Sequence, residues 1–258
     1  MGVRFPRRRH LRPSPDEMTL VEHLRELRIR LIYSVVAIAV AAVAGYVLYG
    51  RILAFFLHPL CVTQGADRCT LYVTGPLDGF TWRLKLAGYA GLFIASPVVL
   101  YQLWKFIAPG LKSTEKRYSV PFLASSLVLF IGGAAIAYLV FPKALRFLQG
   151  AAGTQIHPIY TPQSYLGFLM VLMVAFGAAF EFPVVLVTLE VLGVITPKKL
   201  AASRRWAIVL IFLAAAIFIP SSDPYSLFAL AVPLTIFYEL AIWIGRIVTR
   251  KRVAAASE

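Results

Sequence analysis

The chain has 258 residues, of which 59% are hydrophobic and only 15% charged, with a mean hydropathy of +0.76 and a formal net charge of +14. A water-soluble domain of this length needs about a quarter of its residues charged to cover its surface. The composition excludes a soluble globule and makes lipid the principal solvent, so the chain reads as a polytopic membrane protein.

The first 30 residues are charged and lack an apolar core, so no cleavable signal peptide is visible and the first span is expected to act as the insertion signal. Residues 1–18 read as a basic cytoplasmic extension. From Thr19 to Arg30 the pattern predicts a helix with a capping box, Thr19 at the N-cap and Glu22 three residues on. Leu20, Leu24, Leu27 and Leu31 form its apolar stripe, while Glu22, Glu26 and Arg30 stack at i, i+4 on another face. Taken alone, this is a solvated ladder at the membrane surface, and Glu26 beside Arg25 and Arg28 is ordinary for such a helix.

Charge is absent from Leu31 to Gly50, Leu86 to Trp104, Tyr118 to Pro142, Phe147 to Phe180 and Trp206 to Ser222. At 1.5 Å per residue these stretches reach, or nearly reach, across a hydrocarbon core of roughly 30 Å. They lack the alternation of a barrel strand, so they are expected to be helices. The predicted spans are about 29–49, 86–106, 120–141, 165–192, 206–219 and 227–244, within one domain over 19–246, with a basic tail over 247–258. The fold class is thus all-α with six transmembrane helices, the fifth and sixth short. The fourth is long and holds Pro183, so a tilt or a kink is expected.

Between spans, Cys61 and Cys69 share the first external loop, where oxidation is permitted; a bridge or two unrelated thiols both fit. The segments 52–60 and 142–164 are expected to lie along the membrane surface. After the second span, Pro109-Gly110 ends a helix whose Tyr101, Trp104 and Phe106 mark the interface. Glu115 is then the sole carboxylate of that loop, and beside Lys116 and Arg117 it is equally well a local salt-bridge partner. Glu181 falls near the membrane midplane, where an ionisable group is expensive and by default functional, the alternative being a protonated structural carboxyl. Glu190, nine residues on, lies close to the cytoplasm on the opposite face, and Glu239 is also near that end. Asp223 could simply cap the last helix.

Lys and Arg number 20 in the stretch up to Arg30, the loops 105–117 and 198–205 and the stretch from Arg246 on, against six in the other three loops, which places both termini in the cytoplasm. That bias accounts for the net charge without nucleic acid, and Arg7-Arg8-Arg9 and Arg250-Lys251-Arg252 suit anionic headgroups. No nucleotide-binding loop, metal cluster or nucleophilic triad is present in the sequence, so neither a catalytic site nor a cofactor is expected. A proton-coupled solute carrier using Glu181 would require matched repeats and broken midplane helices, which the sequence does not display. A scaffold without a ligand would leave the cytoplasmic carboxylates without a role.

Several stretches together resemble one family. They are His23-Leu-Arg-Glu26-Leu-Arg28-x-Arg-Leu, then Ser96-Pro-x-x-x-Tyr101-Gln-x-Trp104-x-Phe-Ile-x-Pro109-Gly-Leu-x-x-x-Glu115-Lys-Arg, then Phe180-Glu181-x-Pro183-Val, and finally Pro220-x-x-Asp223 followed by Ala231-x-Pro233-Leu-x-x-x-Tyr238-Glu239. In that order, over nearly the whole chain, they look like TatC, the core subunit of the twin-arginine protein translocase. The resemblance implies a glove-shaped bundle in the bacterial cytoplasmic membrane that binds twin-arginine signal peptides. It also implies export of folded cargo by the proton-motive force with TatA-type and TatB-type single-span partners, in a complex with more than one copy of the chain. By the same resemblance Glu26 and Glu115 contact the signal's arginines, Arg28 belongs to the same motif, Glu181 is the intramembrane functional acid and Asp223 the external one. Many members carry glutamine where this chain has Leu227, which leaves Ser226 or Thr235 as candidates for that contact with a partner helix.

Overall fold

The computed structural model describes residues 20–65, 69–107, 119–153, 158–191, 193–219 and 223–255. Within them the chain folds into helices α1 (Leu20–Val47), α2 (Tyr49–Gln64), α3 (Asp78–Ile107), α4 (Ser119–Ala151), α5 (Pro162–Phe180), α6 (Phe182–Val191), α7 (Pro197–Ala202), α8 (Arg204–Phe218) and α9 (Pro224–Ala255). Among the described residues five stretches are long and apolar enough to cross a bilayer: Val21–Val47, Asp78–Ile107, Val120–Ala151, Pro162–Val191 and Pro224–Ile247. The fifth of the six expected spans is α8, whose 15 residues cover only about 22 Å.

Several boundaries differ from the expectation, each for a physical reason. The surface helix and the first span are one continuous α1, about 42 Å long, because nothing between Arg30 and Leu31 breaks the backbone. Charge had trimmed the second span to Leu86, yet α3 begins at Asp78. Its early cations are accommodated by aromatic rings: the Arg83 guanidinium lies 4.3 Å from the Tyr46 ring and 5.2 Å from that of Tyr49, and Lys85 sits 5.0 Å from Trp82. Likewise α4 runs through Pro142 to Ala151, so the first part of the segment expected on the surface is helix; Arg146 there donates to the Val62 carbonyl at 3.3 Å. The sixth span is longer than expected, since α9 continues from Pro224 through the basic tail to Ala255.

The helices pack where small residues let backbones approach. A Cβ on Gly91 of α3 would lie 2.7 Å from the Ile38 carbonyl oxygen of α1, and one on Gly133 of α4 would lie 2.6 Å from the Phe176 carbonyl oxygen of α5. Both crossings therefore exclude any larger residue, as expected where lipid removes the hydrophobic drive between helices. The core lies where α3, α4, α5, α6 and α9 meet, around Leu86, Phe141, Tyr165, Leu169, Phe176 and Ala231. By contrast α1 rests chiefly on α3 and turns its Val35, Val36, Val40 and Val43 outward.

The short α2 is tied down by polar side chains from the bundle. Tyr138 of α4 donates to the Phe55 carbonyl and Tyr165 of α5 to the Phe56 carbonyl, both at 2.9 Å. Pro59 lies within α2, and Cys61 near its end is joined to Cys69 in a disulfide, which decides between the two readings of those thiols. In the connector after it the Tyr72 N–H donates to the Tyr160 carbonyl at 2.8 Å.

Candidate functional site

Glu26 lies on the first turns of α1, facing the last turns of α3. Arg30, four residues on, donates from Nη2 to Glu26 Oε1 at 2.8 Å and from Nη1 to Gln102 Oε1 of α3 at 3.3 Å. The two charged side chains are only 19% and 18% exposed, a recess rather than open surface. Within it Glu26 Oε2 and Arg30 Nε are buried with no hydrogen-bond partner. One helical turn away the His23 ring stacks on Phe106, centroids 4.3 Å apart, which closes the gap between the two helices. The i, i+4 spacing read from the sequence placed Glu26 and Arg30 together, whereas nothing in the sequence singled out Gln102.

Arg28 is not part of this recess: two residues from Glu26 it projects about 200° around the helix and is exposed. Glu115 lies outside the described residues, as do Thr19 and Pro220.

A second polar group sits inside the bundle. The fourth span breaks at Glu181, which forms the junction between α5 and α6 just ahead of Pro183, as the proline predicted. Glu181 Oε1 is buried and unpartnered. The fully buried Ser126 of α4 adjoins the Glu181 carboxyl and accepts from Trp104 Nε1 of α3 at 2.9 Å. Trp104, expected as an interfacial anchor, is thus buried as well, stacked on Phe122 at 5.1 Å. Gln102 and Trp104 are two residues apart on α3, so the last turns of that helix serve both the recess and the interior group. Ser126 was missed because a lone serine in an apolar window carries no pattern; the signal that could have found it was the company of Ser125 in an otherwise charge-free span.

Asp223 caps α9: the Ser226 backbone N–H donates to its Oδ1 at 2.7 Å, and the residue is 1% exposed. Ser226 is fully buried and its hydroxyl has no partner, while the Thr235 hydroxyl is already spent on the Ala231 carbonyl of its own helix at 2.8 Å. Between those two candidates for a further polar contact, Ser226 alone has a free hydroxyl.

The sequence also underrated Glu190. Its carboxyl is buried at the crossing of α6 and α9 with both oxygens unpartnered, pressed against Gly245, where a Cβ would overlap it. Glu239 instead pairs with Arg204 of α8 at 2.8 Å, on the surface. Among the described residues no cluster of His, Cys, Asp and Glu could hold a metal ion.

Residues 22–233 match the family model described as Sec-independent protein translocase protein (TatC). The chain is 38% identical over 254 residues to the TatC protein of Frankia casuarinae, spanning 95% of this chain and 69% of that one. To the TatC protein of Aquifex aeolicus it is 40% identical, across 91% of this chain and 98% of the relative, and to that of Magnetococcus marinus 40%, across 90% and 86%. A crystal structure described as the twin-arginine translocase receptor TatC in DDM superposes with a TM-score of 0.73 at 39% identity, covering 87% of this chain and 99% of that one. With its apolar helices, the recess around Glu26 and matches that run nearly from end to end, this chain is a multi-pass membrane protein that belongs to the TatC family of Sec-independent protein translocase proteins.

Proposed function

We propose that this translocase component is the subunit that reads twin-arginine signal peptides, and that it does so with Glu26 and Glu115 as the two acceptors. The observation that carries the reading is the Glu26 carboxylate, set in a recess of a strongly basic chain with Oε2 left without a donor. Guanidinium binds carboxylate bidentately, and two arginines need two acceptors, so isolated carboxylates give local selection against an overall repulsion. Arg28, exposed on the far side of α1 from the recess, contributes to signal binding outside it.

In this reading both termini are cytoplasmic and the membrane is the bacterial inner membrane. The Lys/Arg bias supports that orientation, and so does the Cys61–Cys69 bond, which suits the oxidising side. Residues 1–18 and 247–258 are then cytoplasmic basic tails flanking a single transmembrane domain. TatA-type and TatB-type single-span subunits dock on lipid-facing helices, folded cargo crosses at the expense of the proton-motive force, and several copies of the chain assemble. Glu181 serves transport rather than signal binding, Asp223 acts at the external face by holding the start of α9, and Ser226 supplies the polar contact that glutamine supplies elsewhere.

Charge reversal at both acceptors tests this. Glu26→Lys with Glu115→Lys is expected to abolish crosslinking of the chain to a twin-arginine signal peptide; undiminished crosslinking removes both residues from the binding role.

A further inference from the structure

The recess already holds one guanidinium, its own. Arg30 gives a single N–H to Glu26 Oε1, because a partner four residues along the same helix meets the carboxylate end-on, and its other terminal nitrogen is drawn to Gln102 across the gap to α3. The pair is therefore half-matched: Glu26 Oε2 and Arg30 Nε are both buried and both idle. Such a pair is stable enough to occupy the site and incomplete enough to be displaced.

Resting on the receptor reading above, we infer that Arg30 is a built-in competitor for Glu26, which keeps the site occupied until an incoming guanidinium displaces it. A passenger's arginine takes both carboxylate oxygens side by side, gaining the bond to Oε2 that Arg30 cannot make. A lysine brings a compact point charge with no fork, so at Oε1 it only replaces what Arg30 already supplies and has no surplus to release it. Arg30 thus holds down the affinity of the empty site. It sets a threshold that a guanidinium crosses and an ammonium does not.

The test uses the full chain in detergent and two synthetic signal peptides that differ only in carrying Arg-Arg or Lys-Lys. Dissociation constants are measured for the native chain and for Arg30→Gln, Arg30→Met and Arg30→Lys. Without a competitor, Arg30→Gln and Arg30→Met are expected to tighten the Arg-Arg peptide by about fivefold or more, the scale of one charge-assisted bond, and the Lys-Lys peptide by no more than that. Arg30→Lys still places one N–H on Oε1 and is expected to keep the native affinities. The inference is overturned if the glutamine and methionine variants bind the Arg-Arg peptide within about twofold of the native chain, or if all three variants shift together. Should the native chain bind neither peptide, the receptor reading itself falls, and the inference with it. The methionine variant answers the question if glutamine disturbs the fold.

Discussion

Glu181 and Glu26 show how little of a residue's role is written in its identity. Both are carboxylates with one idle oxygen, yet Glu26 opens on a recess with an arginine, whereas Glu181 adjoins a serine that is itself held by an indole. The interior group should separate from the mouth when tested. Glu181→Ala is expected to impair transport of folded cargo more than signal binding, measured in parallel by export in cells and by peptide crosslinking. Transport at the native level would make Glu181 a structural carboxyl. Trp104→Phe keeps the stacking on Phe122 but removes the indole N–H bond to the buried Ser126 hydroxyl, and is expected to cost about 1 kcal/mol in detergent unfolding. Glu181 could be picked out from charge placement alone, and Glu26 and Asp223 from the family motifs. Gln102 and Ser126 could not, because a neutral polar residue advertises itself only through the neighbour that a second helix brings.

At the scale of the element, glycine decides which helices can touch. Gly91→Leu would drive a side chain into the α1 backbone and is expected to destabilise the α1–α3 pair by about 2 kcal/mol, read as a lower unfolding temperature. The crossing of α6 and α9 allows a sharper experiment. Gly245→Ala should destabilise because its methyl group overlaps the Glu190 carboxyl, and Glu190→Ala in the same chain should restore much of the loss. An absence of coupling in that double-mutant cycle would mean the two residues do not share the crossing. The sequence located these helices by charge-free windows but misjudged their ends wherever a cation was neutralised locally. Arg83 and Lys85 on aromatic rings and Arg146 on a carbonyl are invisible to a rule that treats every cation as a boundary.

The molecule as a whole is a set of helices solvated by lipid, with α1 nearly all periphery and the core displaced toward α4, α5 and α9. Its orientation is testable without disturbing that core. In intact cells a membrane-impermeant maleimide should label Gly150→Cys, an open position at the end of α4, and should reach Val194→Cys, between α6 and α7, only after lysis. The reverse pattern would invert the topology. Cys61 and Cys69 do not compete while bonded, and their reduction is expected to lower stability by up to about 2–3 kcal/mol through the short loop they close.

Much of this was settled before any helix was packed. Lipid penalises unpaired charge and unpaired backbone so heavily that the positions of 38 charged residues dictate helices and their approximate number in one dimension. The motifs likewise fixed Glu26 and Glu181 as residues of interest. What remained for the tertiary structure was every interaction between residues far apart in the chain. Arg30 reaches across to Gln102, 72 positions away; Trp104 finds Ser126, and Gly245 makes room for Glu190. Those pairings follow from which small residues let two helices approach and at what rotation, and helical periodicity within one segment carries no information about either.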